Sequence, residues 1–369
     1  MLGIRPLRYA NELKTQHQPT TTAMASLLNL GCWTIASLLV GLLVSLPFVM
    51  VFFGGNKFNV EGKTVLLTGA SEGMGRSVAI QLAQKGANVI IVARSVGKLE
   101  EALAMVKASA ADPASQRCHY ISADLSTQDA ADRVIAEAMA WNHGQAPDIV
   151  WCMAGGSHPS LFLETPKSIL RKQMDLNYWS CSDMAQAILG KWLAPEAVGK
   201  GGPKHLIFTS SVVAMFAIAG YTPYSPGKAA IKSLSDTLAQ EVLLYGESVK
   251  IHTVFPATID SPGLQTENQT KPEITMQLEE GDAGQTPEVV AAKSIKGLEN
   301  GEYLIVTGLL SQAMRACSWG SSRKNNWLWD TLLTWILAPI MFIITGDLDR
   351  KVRAYRKKNR HPSTYSKKT

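Results

Sequence analysis

Seven short apolar runs, separated by stretches of helical periodicity, constrain this chain more than any other feature. They fall at 63–68, 87–92, 118–123, 148–152, 203–209, 249–254 and 303–306. The runs are rich in Val and Ile and do not alternate apolar with polar residues, the pattern of strands buried on both faces. Between them the spacing predicts helices over 74–85, 96–110, 127–142, 166–194 (with a break near 174), 223–245 and 286–298. Strands that alternate with helices predict an α/β fold built on a doubly wound parallel sheet of about seven strands.

Flanking segments point to a membrane. No Asp, Glu, Lys or Arg occurs between Lys14 and Lys57, and roughly Cys32 to Phe53 is apolar apart from small hydroxyl residues. About 20 apolar residues suffice to cross a bilayer, so a retained transmembrane anchor is expected here. A second apolar stretch, Thr331 to Thr345, contains Pro339 and follows Trp327 and Trp329. It is short for a full span and fits a re-entrant or interfacial segment as well. The expected organisation is an N-terminal tail and anchor over 1–56, a catalytic domain over 57–310, and a membrane-associated segment with a basic tail over 311–369.

The net charge of +6 misleads, because nine Lys/Arg and no Asp/Glu lie between Arg350 and Thr369. The remainder holds 27 basic and 30 acidic residues, a net of −3. Basicity confined to a tail suits the anionic cytoplasmic leaflet and gives no reason to expect nucleic-acid binding. The five cysteines form no C-x-x-C pair, which argues for a reducing compartment without a disulfide framework.

Two motifs carry chemistry. The first strand runs into Thr68-Gly69-Ala70-Ser71-Glu72-Gly73-Met74-Gly75. Glycines there let backbone approach a pyrophosphate, and the following helix N-terminus favours its charge. The second strand ends Val92-Ala93-Arg94. It lacks the carboxylate that would hold a ribose 2′-hydroxyl, and Arg94 suits a 2′-phosphate, so NADPH is favoured over NADH; the alternative is a solvated loop arginine. Asp124, at the end of the third strand, either accepts from an adenine amino group or caps a helix.

The second motif is Tyr224-Ser225-Pro226-Gly227-Lys228, with Ser211 thirteen residues before the tyrosine. On a helix, positions i and i+4 share a face, and an ammonium beside a phenol lowers the phenol's pKa toward the range of proton transfer. Taken alone, the pair is more often a chance feature of an amphipathic helix; the serine and the glycine turn, in the right order, favour the catalytic reading. Pro226 requires that the helix begin within a turn of it.

Together these residues resemble the short-chain dehydrogenase/reductase family over about 61–308, which implies a Rossmann-type sheet. The resemblance implies Tyr224 as proton donor to a substrate carbonyl. It implies Lys228 as the group that lowers the tyrosine's pKa and holds the nicotinamide ribose, and Ser211 as the residue that polarises the carbonyl. Asn177 would position a water in a proton relay. The cofactor contacts it implies are Gly69, Ser71, Gly73, Met74, Gly75, Arg94, Asp124, Leu125, Ala154, Gly155, Tyr224, Lys228, Pro256, Ile259 and Ser261, with no metal. Cys152-Met153-Ala154-Gly155 departs from the family's Asn-Asn-Ala-Gly, and Ala257 and Ser261 replace the usual glycine and threonine of the Pro256 turn.

A membrane-bound branch of the family is also similar, through Ala154-Gly155-Gly156-Ser157-His158-Pro159 and the apolar and basic C-terminus. That branch implies a long-chain 2-amino-3-ketone lipid as substrate and the cytosolic face of the endoplasmic reticulum membrane as location. The family's habit of pairing through the helices at 166–194 and 223–245 implies a homo-oligomer. Six carboxylates against one lysine in Asp260–Gln285, the lid position, either attract a protonated amine or form a solvated loop. A membrane-bound reductase of 3-ketoacyl-CoA or steroid ketones, and a non-catalytic nucleotide-binding scaffold, remain as alternatives.

Overall fold

The computed structural model describes residues 55–198, 201–359 and 362; the expected anchor over 32–53 lies outside them. The strands are β1 (Thr64–Thr68), β2 (Asn88–Ala93), β3 (Cys118–Ser122), β4 (Ile149–Cys152), β5 (Lys204–Thr209), β6 (Val249–Phe255) and β7 (Leu304–Val306). All are parallel, in the order β3-β2-β1-β4-β5-β6-β7. Each expected strand is present with its bounds moved by about a residue. The order reverses between β1 and β4, which opens a crevice at the carboxyl ends of the strands there.

The helices are α1 (Gly73–Gln84), α2 (Val96–Ala108), α3 (Ala130–Trp141), α4 (Lys167–Met174), α5 (Ser180–Trp192), α6 (Ser225–Glu241), α7 (Pro262–Thr270), α8 (Glu273–Leu278), α9 (Pro287–Glu299), α10 (Leu309–Ala316) and α11 (Trp327–Lys358). Successive strand residues point to opposite faces, and both faces are buried. Leu66, Val92, Val150 and Phe208 pack with Val134 of α3, Ile188 of α5 and Ile231 of α6. Val65, Leu67, Ile91 and Trp151 pack on the other side with Val78 of α1, Leu99 of α2 and Ile295 of α9. Full burial of one such side chain contributes about 1.5–3 kcal/mol, which is why these strands contain no polar alternation.

The expected helix over 166–194 is two helices joined by a π-helical turn, Asp175–Trp179. The expected helix over 223–245 begins at Ser225, with Pro226 in its first turn, and ends in the tighter turn Val242–Tyr245. Three helices were not foreseen: α7, α8 and α10. Helix α7 has no buried residue and so no apolar period; it is started by Ser261, whose hydroxyl accepts from Leu264 N at 3.4 Å, and by Pro262. The apolar stretch 331–345 and the first part of the basic tail form one continuous helix, α11. Asn325 closes the exposed edge of β7. Its side chain accepts from Tyr303 N at 2.8 Å and Leu304 N at 3.1 Å, and donates to Leu304 O at 2.8 Å.

Candidate active site

The crevice at the β1/β4 switch is a cleft of about 880 Å³. It collects every residue expected at the cofactor, together with Ser211, Tyr224 and Lys228. Its floor is the turn from β1 into α1. Gly69 has φ +66°, and a Cβ there would stand 2.8 Å from Ala154 Cα; on Gly75 it would stand 2.2 Å from Gly69 O. Side chains are therefore excluded where the strand ends come together. The Thr68 hydroxyl ties the same point, accepting from Met153 N at 3.0 Å and Ala154 N at 3.1 Å. Cys152, in the position of the family's first asparagine, is fully buried against the Cys181 thiol.

At the ends of β2 and β3, Arg94 is exposed and Lys98 of α2 also lines the cleft, paired with Glu72 at 2.6 Å. Lys98 was missed because a lysine on an exposed helix face carries no signal in sequence. Asp124 caps no helix. Its Oδ1 accepts from Ser126 Oγ at 2.7 Å and Ser126 N at 3.1 Å, a local turn that, with Arg94 nearby, holds its carboxyl below the usual range. Beyond β6, Gln285 pairs with the 258–260 backbone, through Asp260 N to Gln285 O and Gln285 N to Thr258 O at 2.9 Å each. That pairing sets Pro256, Ile259 and Ser261 along the rim.

The Tyr224 phenol and the Ser211 hydroxyl line the same cleft, and Ser211 acts to lower the phenol's pKa. Lys228 is buried; its Nζ lies 5.6 Å from the centre of the Tyr224 ring and donates to Thr209 O at 3.0 Å. The expected lowering of the phenol pKa is replaced here by a rise. Burial pushes the phenol up, the negative charge of Glu267 adds to that, and Ser211 offsets only part. Burial also pulls the Lys228 ammonium down. Both groups are removed from water, and desolvation is the largest effect on each.

Asn177 does not line the cleft. It is fully buried in the π-helical turn behind it. Its Oδ1 accepts from Gly156 N at 3.1 Å, and its Nδ2 donates to Gly156 O at 2.9 Å and Gln173 O at 3.0 Å. The amide thus clamps the loop after β4. Ser157 on that loop lines the cleft with a buried hydroxyl; His158 is not among the lining residues.

The far half of the cleft comes from residues that sequence reasoning did not assemble. Tyr221 Oη stands 2.5 Å from Glu267 Oε1 of α7 and 2.6 Å from Glu279 Oε1, just past α8. Lys271, buried between them, lies 3.1 Å from Glu267 and 2.7 Å from Glu279. Burial draws the Lys271 ammonium down, but the two carboxylates outweigh it and hold it above its ordinary value. Two carboxyl groups thus meet one ammonium and one phenol. The single Tyr221 proton serves only one of its two short contacts. Phe216, Ile218, Met314, Ile344 and Leu348 complete this half as an apolar wall.

The family description "short chain dehydrogenase" matches residues 63–272. The chain belongs to the short-chain dehydrogenase/reductase family, whose members are oxidoreductases using a nicotinamide dinucleotide. It is 50% identical over 322 residues to a 3-ketodihydrosphingosine reductase of Neurospora crassa, covering 86% of this chain and 89% of the relative. It is 47% identical over 349 residues to one of Aspergillus fumigatus, covering 90% and 95%. Among solved structures, a short-chain dehydrogenase/reductase from Mycobacterium ulcerans shares the fold, with a TM-score of 0.57 at 22% identity over 68% of this chain and 89% of that one.

Proposed function

We propose that this chain reduces 3-ketodihydrosphingosine, a long-chain 2-amino-3-ketone, to dihydrosphingosine with NADPH. The observation that carries the reading is that Ser211, Tyr224 and Lys228 line one cleft with a turn whose Gly69 and Gly75 leave no room for a Cβ. When bound, NADPH supplies the hydride that the carbonyl carbon accepts. Gly69, Ser71, Gly73, Met74 and Gly75 would hold its pyrophosphate, Asp124 and Leu125 its adenine, and Ala154, Gly155, Pro256, Ile259 and Ser261 its nicotinamide end. Arg94 and Lys98 give two cations for a 2′-phosphate where β2 ends without a carboxylate.

Ser211 donates a hydrogen bond to the substrate carbonyl and polarises it. Tyr224 gives its phenolic proton to the oxygen as the alkoxide forms. A phenol held above its ordinary pKa keeps that proton at neutral pH, as the reductive direction requires. Lys228 then faces the phenolate left behind. Asn177 acts on the same centre by fixing the loop that carries Gly155 and Gly156. The carboxyl oxygens of Glu267 and Glu279 are acceptors suited to the protonated 2-amine of this substrate.

Incubating membranes that contain the full chain with NADPH and 3-ketodihydrosphingosine, then identifying the product by mass spectrometry, tests the reading. Dihydrosphingosine is the expected product; faster NADPH consumption with a 3-ketoacyl-CoA overturns it. We place the catalytic unit on the cytosolic face of the endoplasmic reticulum. Asn268, exposed on α7 within the only Asn-x-Ser/Thr sequon, then stays unglycosylated. A glycan at Asn268 in isolated membranes reverses that orientation.

A further inference from the structure

Helix α11 has two apolar faces with different neighbours. Leu337, Met341, Ile344 and Leu348 form a stripe at helical spacing. They pack against Phe216, on the loop that follows Ser211, and against Met314 of α10. Ile344 and Leu348 reach the same cleft that holds Tyr224. The other face carries Trp335 and Phe342, each 79% exposed, together with Ile336 and Ile343.

The helix is long and apolar enough to cross a bilayer, yet it is fastened to the catalytic unit near both ends. At one end Arg315 Nη2 lies 3.6 Å from Asp330 Oδ1, and Thr334 Oγ1 donates to Ala316 O at 2.8 Å. At the other, Tyr355 Oη donates to Glu273 Oε2 at 3.2 Å. The segment between Asp330 and Tyr355 is about 38 Å long at 1.5 Å per residue. A helix held on one side over that length has no lipid on that side, which fits a helix in the plane of the interface and not one that spans. Its last turns agree. From Asp347 to Lys358 there are six basic and two acidic side chains, a charge complementary to an anionic leaflet.

We propose that the gap walled by α10 and α11 is the subsite for the alkyl chain of the lipid substrate, entered sideways from a leaflet in which the outer face of α11 lies. This rests on the reductase reading above. A carbonyl seated at Tyr224 with its amine toward Glu267 and Glu279 leaves the chain facing Phe216, Met314, Ile344 and Leu348, and beyond them the surface that carries Phe342. The alkyl chain then stays in apolar surroundings while the carbonyl reaches Tyr224.

Kinetics of the full chain with two substrates test this. Leu348→Trp fills the gap and is expected to raise KM for an 18-carbon amino ketone at least tenfold, while leaving a six-carbon analogue within twofold. Retained turnover of the short substrate shows that the variant folds; an equal effect on both overturns the subsite. Trp335→Asp is expected to cut turnover of the long substrate at least fivefold in phosphatidylserine vesicles and to change little in detergent micelles. Equal loss in both media overturns sideways entry. Vesicles with brominated acyl chains should quench the wild-type tryptophan fluorescence more than that of Trp335→Phe, a readout independent of turnover. If the wild type reduces neither amino ketone, the reductase reading fails, and the placement of α11 stands or falls on that quenching.

Discussion

The two halves of the cleft are built on different principles. The cofactor half consists of strand ends and the turns that leave them. Its floor is shaped by backbone, glycines and one threonine hydroxyl at the ends of β1 and β4. The substrate half consists of side chains drawn from 212–221, 260–285 and 309–348, segments that meet only in three dimensions. The first half works because nothing protrudes. The second works because particular side chains protrude and are paired, as in the Tyr221/Glu267/Lys271/Glu279 group. The first half is thus specified by short local motifs, whereas the second depends on contacts between segments distant in the chain.

The junction of the halves gives the largest expected effect. Tyr224→Phe keeps the ring and removes the transferable proton. Turnover should fall by about 10³-fold, within the usual range for loss of a general acid, while NADPH binding measured by fluorescence titration stays within twofold. Undiminished turnover sinks the mechanism.

The sheet frame carries an acid sensitivity that the lid is not expected to share. His205 on β5 and His252 on β6 are buried, 3.1 Å apart, and burial pulls them down to about 3 and about 4 respectively. In the unfolded chain both titrate near about 6.5, so as pH falls the unfolded state takes up protons first. Their contribution is fully present above that value and is lost progressively toward pH 4. The loss is on the order of 2 kcal/mol for each histidine between pH 7 and pH 5. Thermal midpoints at the two pH values should drop less in a His205→Gln/His252→Gln double variant; an unchanged drop would place the sensitivity elsewhere.

Glu279→Gln probes the substrate half alone. It should raise KM for the amino ketone about tenfold, the size of a charge-assisted hydrogen bond, and leave KM for NADPH and for a ketone lacking the amine unchanged. Equal changes for both ketones would mean that the cluster merely braces the lid. The smallest effect belongs to exposed Arg94. Arg94→Ser should raise KM for NADPH by about fivefold and leave that for NADH nearly unchanged, because a solvated phosphate contact is weak. A cofactor preference that does not move would assign the 2′-phosphate to Lys98 alone.

Much of the cofactor half was legible in the sequence. Unalternated Val/Ile runs gave the strands, the glycine turn lay between β1 and α1, and Ser211, Tyr224 and Lys228 stood at informative spacings. The reason is local: a buried strand, a turn without Cβ atoms and a helix start each leave a mark within about ten residues. The rest left none. Helix α7 shows no apolar period because it buries no side chain. Asn325 completes a strand edge without resembling a strand. Lys98 looks like any solvated lysine. The sense of the shift at Tyr224 was misread because the i+4 spacing reveals the neighbouring ammonium and conceals the desolvation of both groups.

By itself, the sequence determined a doubly wound parallel sheet and the place on it where a glycine turn and a tyrosine–lysine pair meet, since those features arise from short-range periodicity and backbone sterics. Only the tertiary structure decided that two lid carboxylates share one buried lysine beside Tyr221, and that an apolar C-terminal helix walls the cleft. Both depend on side chains tens of residues apart being brought within contact distance, and that distance is set by packing and not by spacing along the chain.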